Sequence, residues 1–299
     1  MKDTMGRYSQ AENISSPKSS HPSRFDPSTC SGSRAESRGK LTVRLDRARR
    51  GPSPIEGPLT PDRAALVIFA KAPVPGQVKT RLCPPLTPDE AATLHGSFVL
   101  DTLERTKAAV AKLKLPLDRY LACAPSSTLV FFKIMEERQG VTLIDQVGDD
   151  LGARMNQAFE TMFTWGYKRV LIVGTDVPTL PLDHFKQALA LLETNDLVLG
   201  PSLDGGYYLI GLKRTAPDLF TDIPWSTDQV LRLTQEKVTK LGLKTALISP
   251  WRDVDTIDDV QTLAEASTLD AKKPKNEQLF SSRTAGALQL IAKRLRSRG

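Results

Sequence analysis

The 299 residues, 40% of them hydrophobic, suffice for one large domain or two small ones, and no run approaches the roughly 20 apolar residues that cross a bilayer. The formal charge of +7 sits at the ends: residues 1–62 carry 11 Lys and Arg against 7 Asp and Glu, and 270–299 carry 8 against 2, while 63–269 carry 22 against 25. The basic ends hold only the isolated aromatics Tyr8, Phe25 and Phe280 and no aromatic interleaving, which argues against specific nucleic-acid binding; scattered Cys30, Cys83 and Cys123, and His21, His95 and His184, argue against a disulfide framework, a zinc site or a Ser-His-Asp triad.

Residues 1–62 are rich in Ser, Pro, Arg and Gly and show no periodicity, so a disordered N-terminal tail is expected there. They contain no apolar core of a secretory leader, and their acidic residues count against a transit peptide, although a misassigned start would look the same. A reducing cytoplasm is the expected location. From Leu66 onward, short apolar runs alternate with amphipathic stretches, the pattern of β-α units on a largely parallel sheet. Strands are predicted at 65–70, 120–124, 141–144, 170–173, 197–200, 207–211 and 245–248. Helices are predicted from the Thr87-Pro88-Asp89-Glu90 capping box to about 112, and near 126–138, 151–165, 182–192, 227–240 and 257–267. One domain over 63–269 accounts for these elements. The last segment, 270–299, reads as a basic tail in which Leu288, Ile291, Ala292 and Leu295 have helical spacing.

Ligands of open α/β sheets bind beyond the carboxyl ends of the strands, so the residues that follow strands carry the functional reading. Lys71-Ala-Pro-Val-Pro-Gly-Gln-Val-Lys79-Thr-Arg81 follows the first strand. Gly76 permits a tight turn, and Lys71, Lys79 and Arg81 suit phosphates, Arg81 through a bidentate contact. A Walker A loop is excluded, because Val78 stands where a glycine is required before Lys-Thr. Thr175-Asp176-Val177-Pro178 ends the most apolar strand, where Asp176 can hold Mg²⁺, or simply cap or turn the chain. Asp255, in Asp253-Val254-Asp255-Thr256, can supply a second metal carboxylate, or the segment merely caps the next helix. In Asp204-Gly205-Gly206 the two glycines allow close backbone approach to a ligand while Asp204 faces the site; a plain hairpin turn is the alternative. Asp149 to Met155 opens a helix at which Gly152 leaves room and Arg154 can point back to base or phosphates. Trp225-Ser226-Thr227 either lines an acceptor pocket or starts a helix.

The ordered set F-A-K-A-P-V-P-G-Q-V-K-T-R-L, D-L-G-A-R-M, G-T-D-V-P-T-L, D-G-G-Y-Y-L-I-G-L, W-S-T and D-V-D-T resembles a bacterial glycosyltransferase-like family of the nucleotide-diphospho-sugar transferase superfamily, some members of which are assigned to arsenosugar biosynthesis. The resemblance covers about 63–266 and implies the GT-A fold, a Rossmann-like mixed α/β sheet flanked by helices that binds nucleotide at its carboxyl edge with Mg²⁺ or Mn²⁺. Lys71, Lys79 and Arg81 match the donor-phosphate loop, Asp176 the metal carboxylate, and Asp255 the second metal ligand of related nucleotidyltransferases. The chain is more distantly similar to molybdenum-cofactor and phospholactate guanylyltransferases. It departs from sugar nucleotidyltransferases in lacking the G-G-x-G-x-R core, and from many glycosyltransferases in replacing D-x-D by Asp176-Val177-Pro178.

The expected function is therefore metal-dependent transfer of a sugar from a nucleoside-diphosphate sugar to a small-molecule acceptor. Pro73 and Pro75 remove backbone donors that a triphosphate would use, and Asp204 is the expected general base. Nucleotidyl transfer with release of pyrophosphate is the alternative.

Overall fold

Alternate residues of strand β1 (Ala64–Lys71) face opposite layers: Ala64, Leu66, Ile68 and Ala70 enter one apolar cluster, Ala65 and Val67 another. Both faces of the strand are buried, which is why it reads as a continuous apolar run. The computed structural model describes residues 63–275 and 277–296; the tail expected at 1–62 lies outside them.

Six further strands, β2 (Leu117–Ala124), β3 (Thr142–Asp145), β4 (Val170–Gly174), β5 (Leu197–Pro201), β6 (Tyr207–Leu212) and β7 (Thr245–Leu247), complete a sheet of order β3-β2-β1-β4-β6-β5-β7. β1 pairs in parallel with β2 on one side and with β4 on the other, so chain direction across the sheet switches between β1 and β4. That switch opens a crevice beyond their carboxyl ends. β6 runs antiparallel to both β4 and β5, which makes the sheet mixed.

Helices α1 (Pro88–Leu113), α2 (Val130–Gln139) and α4 (Leu182–Thr194) cover one face through Val99, Leu103, Phe132, Met135, Phe185 and Leu192. α3 (Leu151–Thr164) and α5 (Val230–Lys240) cover the other through Met155, Phe159, Met162 and Val238. The Thr87–Glu90 capping box forms: Thr87 Oγ1 accepts from Glu90 N at 3.2 Å, and Glu90 Oε2 accepts from Thr87 N at 2.8 Å. Two helices start later than their sequence suggests. Thr128 N donates to Ser126 Oγ and Ser127 N to Asp145 Oδ1, so residues 126–128 are held in a turn before α2. Thr227 Oγ1 similarly donates to Pro224 O, delaying α5 to Val230.

Within 270–299, Ser282–Arg296 forms α7, which lies against α6 (Ile257–Asp270) and α1. Leu288 and Ile291 join Leu82, Leu94, Phe98, Val260 and Leu263 in a third apolar cluster, and Thr284 Oγ1 donates to the buried Asp101 Oδ2 at 2.6 Å. Among the described residues no helix is long and apolar enough to cross a membrane.

Candidate active site at the carboxyl edge of the sheet

The first loop rests on α1. His95 Nε2 donates to the Lys71 carbonyl at 3.0 Å, and a Cβ on the next residue, Gly96, would lie 3.3 Å from Pro73. The His95 ring is buried, and that burial holds it below the ordinary histidine range. Gly76 turns the loop at φ 76, a left-handed angle that glycine adopts without strain, and its open side has nothing within 4 Å.

Lys79, also left-handed at φ 49, sends its side chain inward beneath the loop. The ammonium lies 2.5 Å from Asp176 Oδ1, 2.8 Å from Asp255 Oδ1 and 2.6 Å from Val254 O, with only 5% of the side chain exposed. The ammonium donates hydrogen bonds to Val254 O and Asp255 Oδ1, and its contact with Asp176 is an ion pair. Burial alone would lower the Lys79 pKa; the two carboxylates outweigh it and hold the group above its usual value. Burial would likewise raise Asp176, but Lys79 foremost, with His95, keeps that carboxyl below the ordinary range. The expected pair Asp176 and Asp255 is thus brought together, bridged by Lys79.

Asp255 also belongs to a second group. Ligand oxygens of Asp204, Asp253 and Asp255 all lie within 4.8 Å of one another. Burial first, and then the charges of Asp204 and Asp255, push Asp253 up to about 7. The segment carrying these residues is fixed by Trp251 N to Pro201 O at 3.0 Å, Val254 N to Asp176 O at 3.0 Å and Tyr208 OH to Ser249 O at 2.9 Å. Thr256, not Asp255, caps α6, its hydroxyl oxygen accepting from Asp259 N, which leaves the Asp255 carboxylate to the crevice. Three hard oxygen donors within reach of one another suit a divalent cation such as Mg²⁺ or Mn²⁺. Asp253 did not stand out in sequence, although D-x-D on an extended segment places both carboxylates on one side.

Lys71 and Arg81 are the exposed cations of the loop. Arg81 Nη2 donates to Ser226 O at 3.2 Å, and its Nη1 is 4.0 Å from Asp255 Oδ2. Arg154 turns back on its own loop, Nε donating to Gly148 O at 2.9 Å, and Asp150 caps α3 by accepting from Ala153 N at 2.7 Å. Thr175 is buried. The room at Gly152 is filled: a Cβ there would meet the Trp225 ring at 2.6 Å and the Phe220 carbonyl at 2.7 Å. Gly205, at φ 90, is pressed against the Asp228 backbone, whose oxygen a Cβ would approach to 2.1 Å. Gly206 N donates to Asp204 Oδ1 at 2.9 Å, orienting that carboxylate.

The profile of DUF2064, described as an uncharacterized protein conserved in bacteria, matches residues 107–227. A crystal structure of a candidate nucleotide-diphospho-sugar transferase from Desulfovibrio desulfuricans G20 is 32% identical, and the match covers 78% of this chain and 97% of that one with a TM-score of 0.67. The chain belongs to the DUF2064 family. The DUF2064 match takes in Asp150–Arg154, Asp176, Asp204–Gly206 and Trp225, and stops short of Lys71–Arg81 and Asp253–Asp255. These matches carry the family and the fold, not the arsenosugar-type subgroup. Among curated proteins, the 2-phospho-L-lactate guanylyltransferases of Methanobrevibacter ruminantium and Methanocaldococcus infernus are each 27% identical, over 51% and 46% of this chain. The chain spans 66% and 57% of the length of those two relatives.

Proposed function

We propose that this protein is a nucleotidyltransferase, joining the nucleoside monophosphate part of a triphosphate such as GTP to a phosphorylated small-molecule acceptor and releasing pyrophosphate. This reading replaces the sugar transfer expected from the sequence. The observation that carries it is the group Asp204, Asp253 and Asp255 beside a basic loop, an arrangement suited to a cation on a highly charged phosphate chain. The similarity to two guanylyltransferases supports the same direction. Pro73 and Pro75 do not close the loop to a triphosphate, because Pro73 packs down on Gly96 and the side of the loop at Gly76 remains open.

In this reading Lys71 and Arg81 bind the β- and γ-phosphates, Arg81 held in place by the Ser226 carbonyl. Lys79 neutralises Asp176 and orients Asp255 rather than touching the donor. Asp204, Asp253 and Asp255 would hold Mg²⁺ or Mn²⁺. When bound, that ion supplies charge neutralisation to the phosphates in the transition state. An oxygen of the acceptor phosphate bonds to the α-phosphorus, the bond from that phosphorus to the α-β bridging oxygen breaks, and the electron pair leaves with pyrophosphate. A phosphate monoester has its second pKa near about 6, so the attacking oxygen is already ionised at neutral pH and Asp204 is needed as a cation ligand, not as a base. The cytoplasm, with its nucleoside triphosphates, is the location this reading expects.

Glycosyl transfer is the second reading, favoured by the 32% identical Desulfovibrio relative. Product identity separates the two. Pyrophosphate released from GTP with 2-phospho-L-lactate or another phosphorylated acid supports nucleotidyl transfer. Nucleoside diphosphate released from a sugar nucleotide, with no pyrophosphate from any triphosphate, overturns it.

A further inference from the structure

The Trp225-Ser226-Thr227-Asp228 turn is part of neither the phosphate loop nor the carboxylate group, yet it touches both sides of the crevice. The Trp225 ring lies across Gly152 in the first turn of α3, with two of its atoms 2.6 Å from where a Cβ on that glycine would stand. Ser226, held left-handed at φ 66, accepts from Arg81 Nη2 through its carbonyl at 3.2 Å. Asp228 presses its backbone on Gly205, beside Asp204, and Leu231 N donates to Gly205 O at 2.8 Å. A left-handed serine is a costly way to turn a chain, so the surroundings hold it in that conformation. One short turn thus fixes the distance between Arg81, the start of α3 and the Asp204 turn.

We propose that Trp225 is a positioning residue for the nucleotide: its ring sets the stand of the α3 terminus and, through Ser226, of the Arg81 guanidinium, while the Asp253–Asp255 segment is held independently and the Asp204 carboxylate is oriented by Gly206 N. The inference rests on the nucleotide-donor reading above. The independence follows from the hydrogen bonds that fix the Asp253–Asp255 segment, which run to Pro201 and Asp176 and not to the turn. Gly152 has no side chain because the indole occupies that space; the pair Gly152 and Trp225 therefore acts as one contact.

The test is a double-mutant cycle on the full chain, read by GTP affinity and separately by Mn²⁺ affinity. Trp225→Ala and Gly152→Ala are each expected to weaken GTP binding about tenfold, with Mn²⁺ binding within about twofold of wild type. The double variant is expected to lose no more than either single one, because both break the same contact. Trp225→Phe, which retains an aromatic plate and protects against failure to fold, should recover most of the affinity. Additive losses, equal losses of GTP and Mn²⁺, or unchanged GTP affinity in a folded Trp225→Ala protein overturn the proposal. If wild type binds UDP-glucose and not GTP, the donor assignment fails and the cycle is read with UDP-glucose. If wild type binds neither, both readings fall.

Discussion

Val254 N donates to the carbonyl of Asp176 at 3.0 Å, so the backbone itself joins the end of β4 to a segment 78 positions later in the chain. Lys79, from a third segment, accepts no freedom in this arrangement: its ammonium meets Asp176, Asp255 and Val254 O at once. The three parts of the site are therefore locked together before any ligand contributes.

Lys79→Met should destabilise the fold by about 2–3 kcal/mol, less than the roughly 3–5 kcal/mol for breaking a fully buried ion pair, because Asp176 and Asp255 remain partly open to solvent. Urea denaturation measures it. A loss below about 0.5 kcal/mol would mean that water serves the two carboxylates as well as the ammonium does.

Asp253 is pushed from 3.8 to about 7 in the folded protein, so it stays protonated where the unfolded chain has already ionised. A raised folded-state pKa contributes stability that is fully present below 3.8 and is lost as pH rises through about 7. In chelator, Asp253→Asn should match wild type at the acid end, grow relatively more stable across that interval, and hold a constant advantage above it. Parallel melting profiles at all pH values would place Asp253 apart from Asp204 and Asp255.

Mg²⁺ or Mn²⁺ should raise the melting temperature of wild type, by linkage worth about 2.7 kcal/mol at a hundredfold excess over Kd. Asp255→Asn should lose that shift, Asp253→Asn should lose most of it, and Asp176→Asn should keep it, since Asp176 lies outside the group of three carboxylates. A shift lost in Asp176→Asn and retained in Asp253→Asn would move the cation to the pair that Lys79 bridges.

Leu288→Ala, on α7, should cost about 2–4 kcal/mol, the usual range for emptying a fully buried leucine site. Unchanged stability would show that α7 does not share a core with Leu82, Leu94 and Phe98.

The sheet was legible because buried strands and amphipathic helices differ in apolar period, and α1 because its capping box and Pro88 are local signals. The converging of Lys71–Arg81, Asp176, Asp204 and Asp255 on one edge was legible from their places after strands. Three things were not. Whether a lysine reaches a phosphate or a carboxylate depends on which way a left-handed residue turns its side chain, and nothing local to Lys79 encodes that. Asp253 gains its shifted ionisation from burial and then from the charge of Asp204, 49 positions away. The glycines at 152 and 205 announce close approach, but sequence does not say that the approaching groups are Trp225 and Asp228 rather than a ligand.

The reversed direction of β6 has a consequence for where the acidic group can exist at all. β5 leaves the sheet at Pro201 and β6 returns at Tyr207, so the intervening bend is a hairpin tip at the same rim as the ends of β1 and β4. Had β6 run the same way as its neighbours, the residues preceding it would enter from the opposite rim, about 20 Å off for a six-residue strand. Asp204 would then never meet Asp253 and Asp255. The single inverted strand is the geometric origin of the third carboxylate.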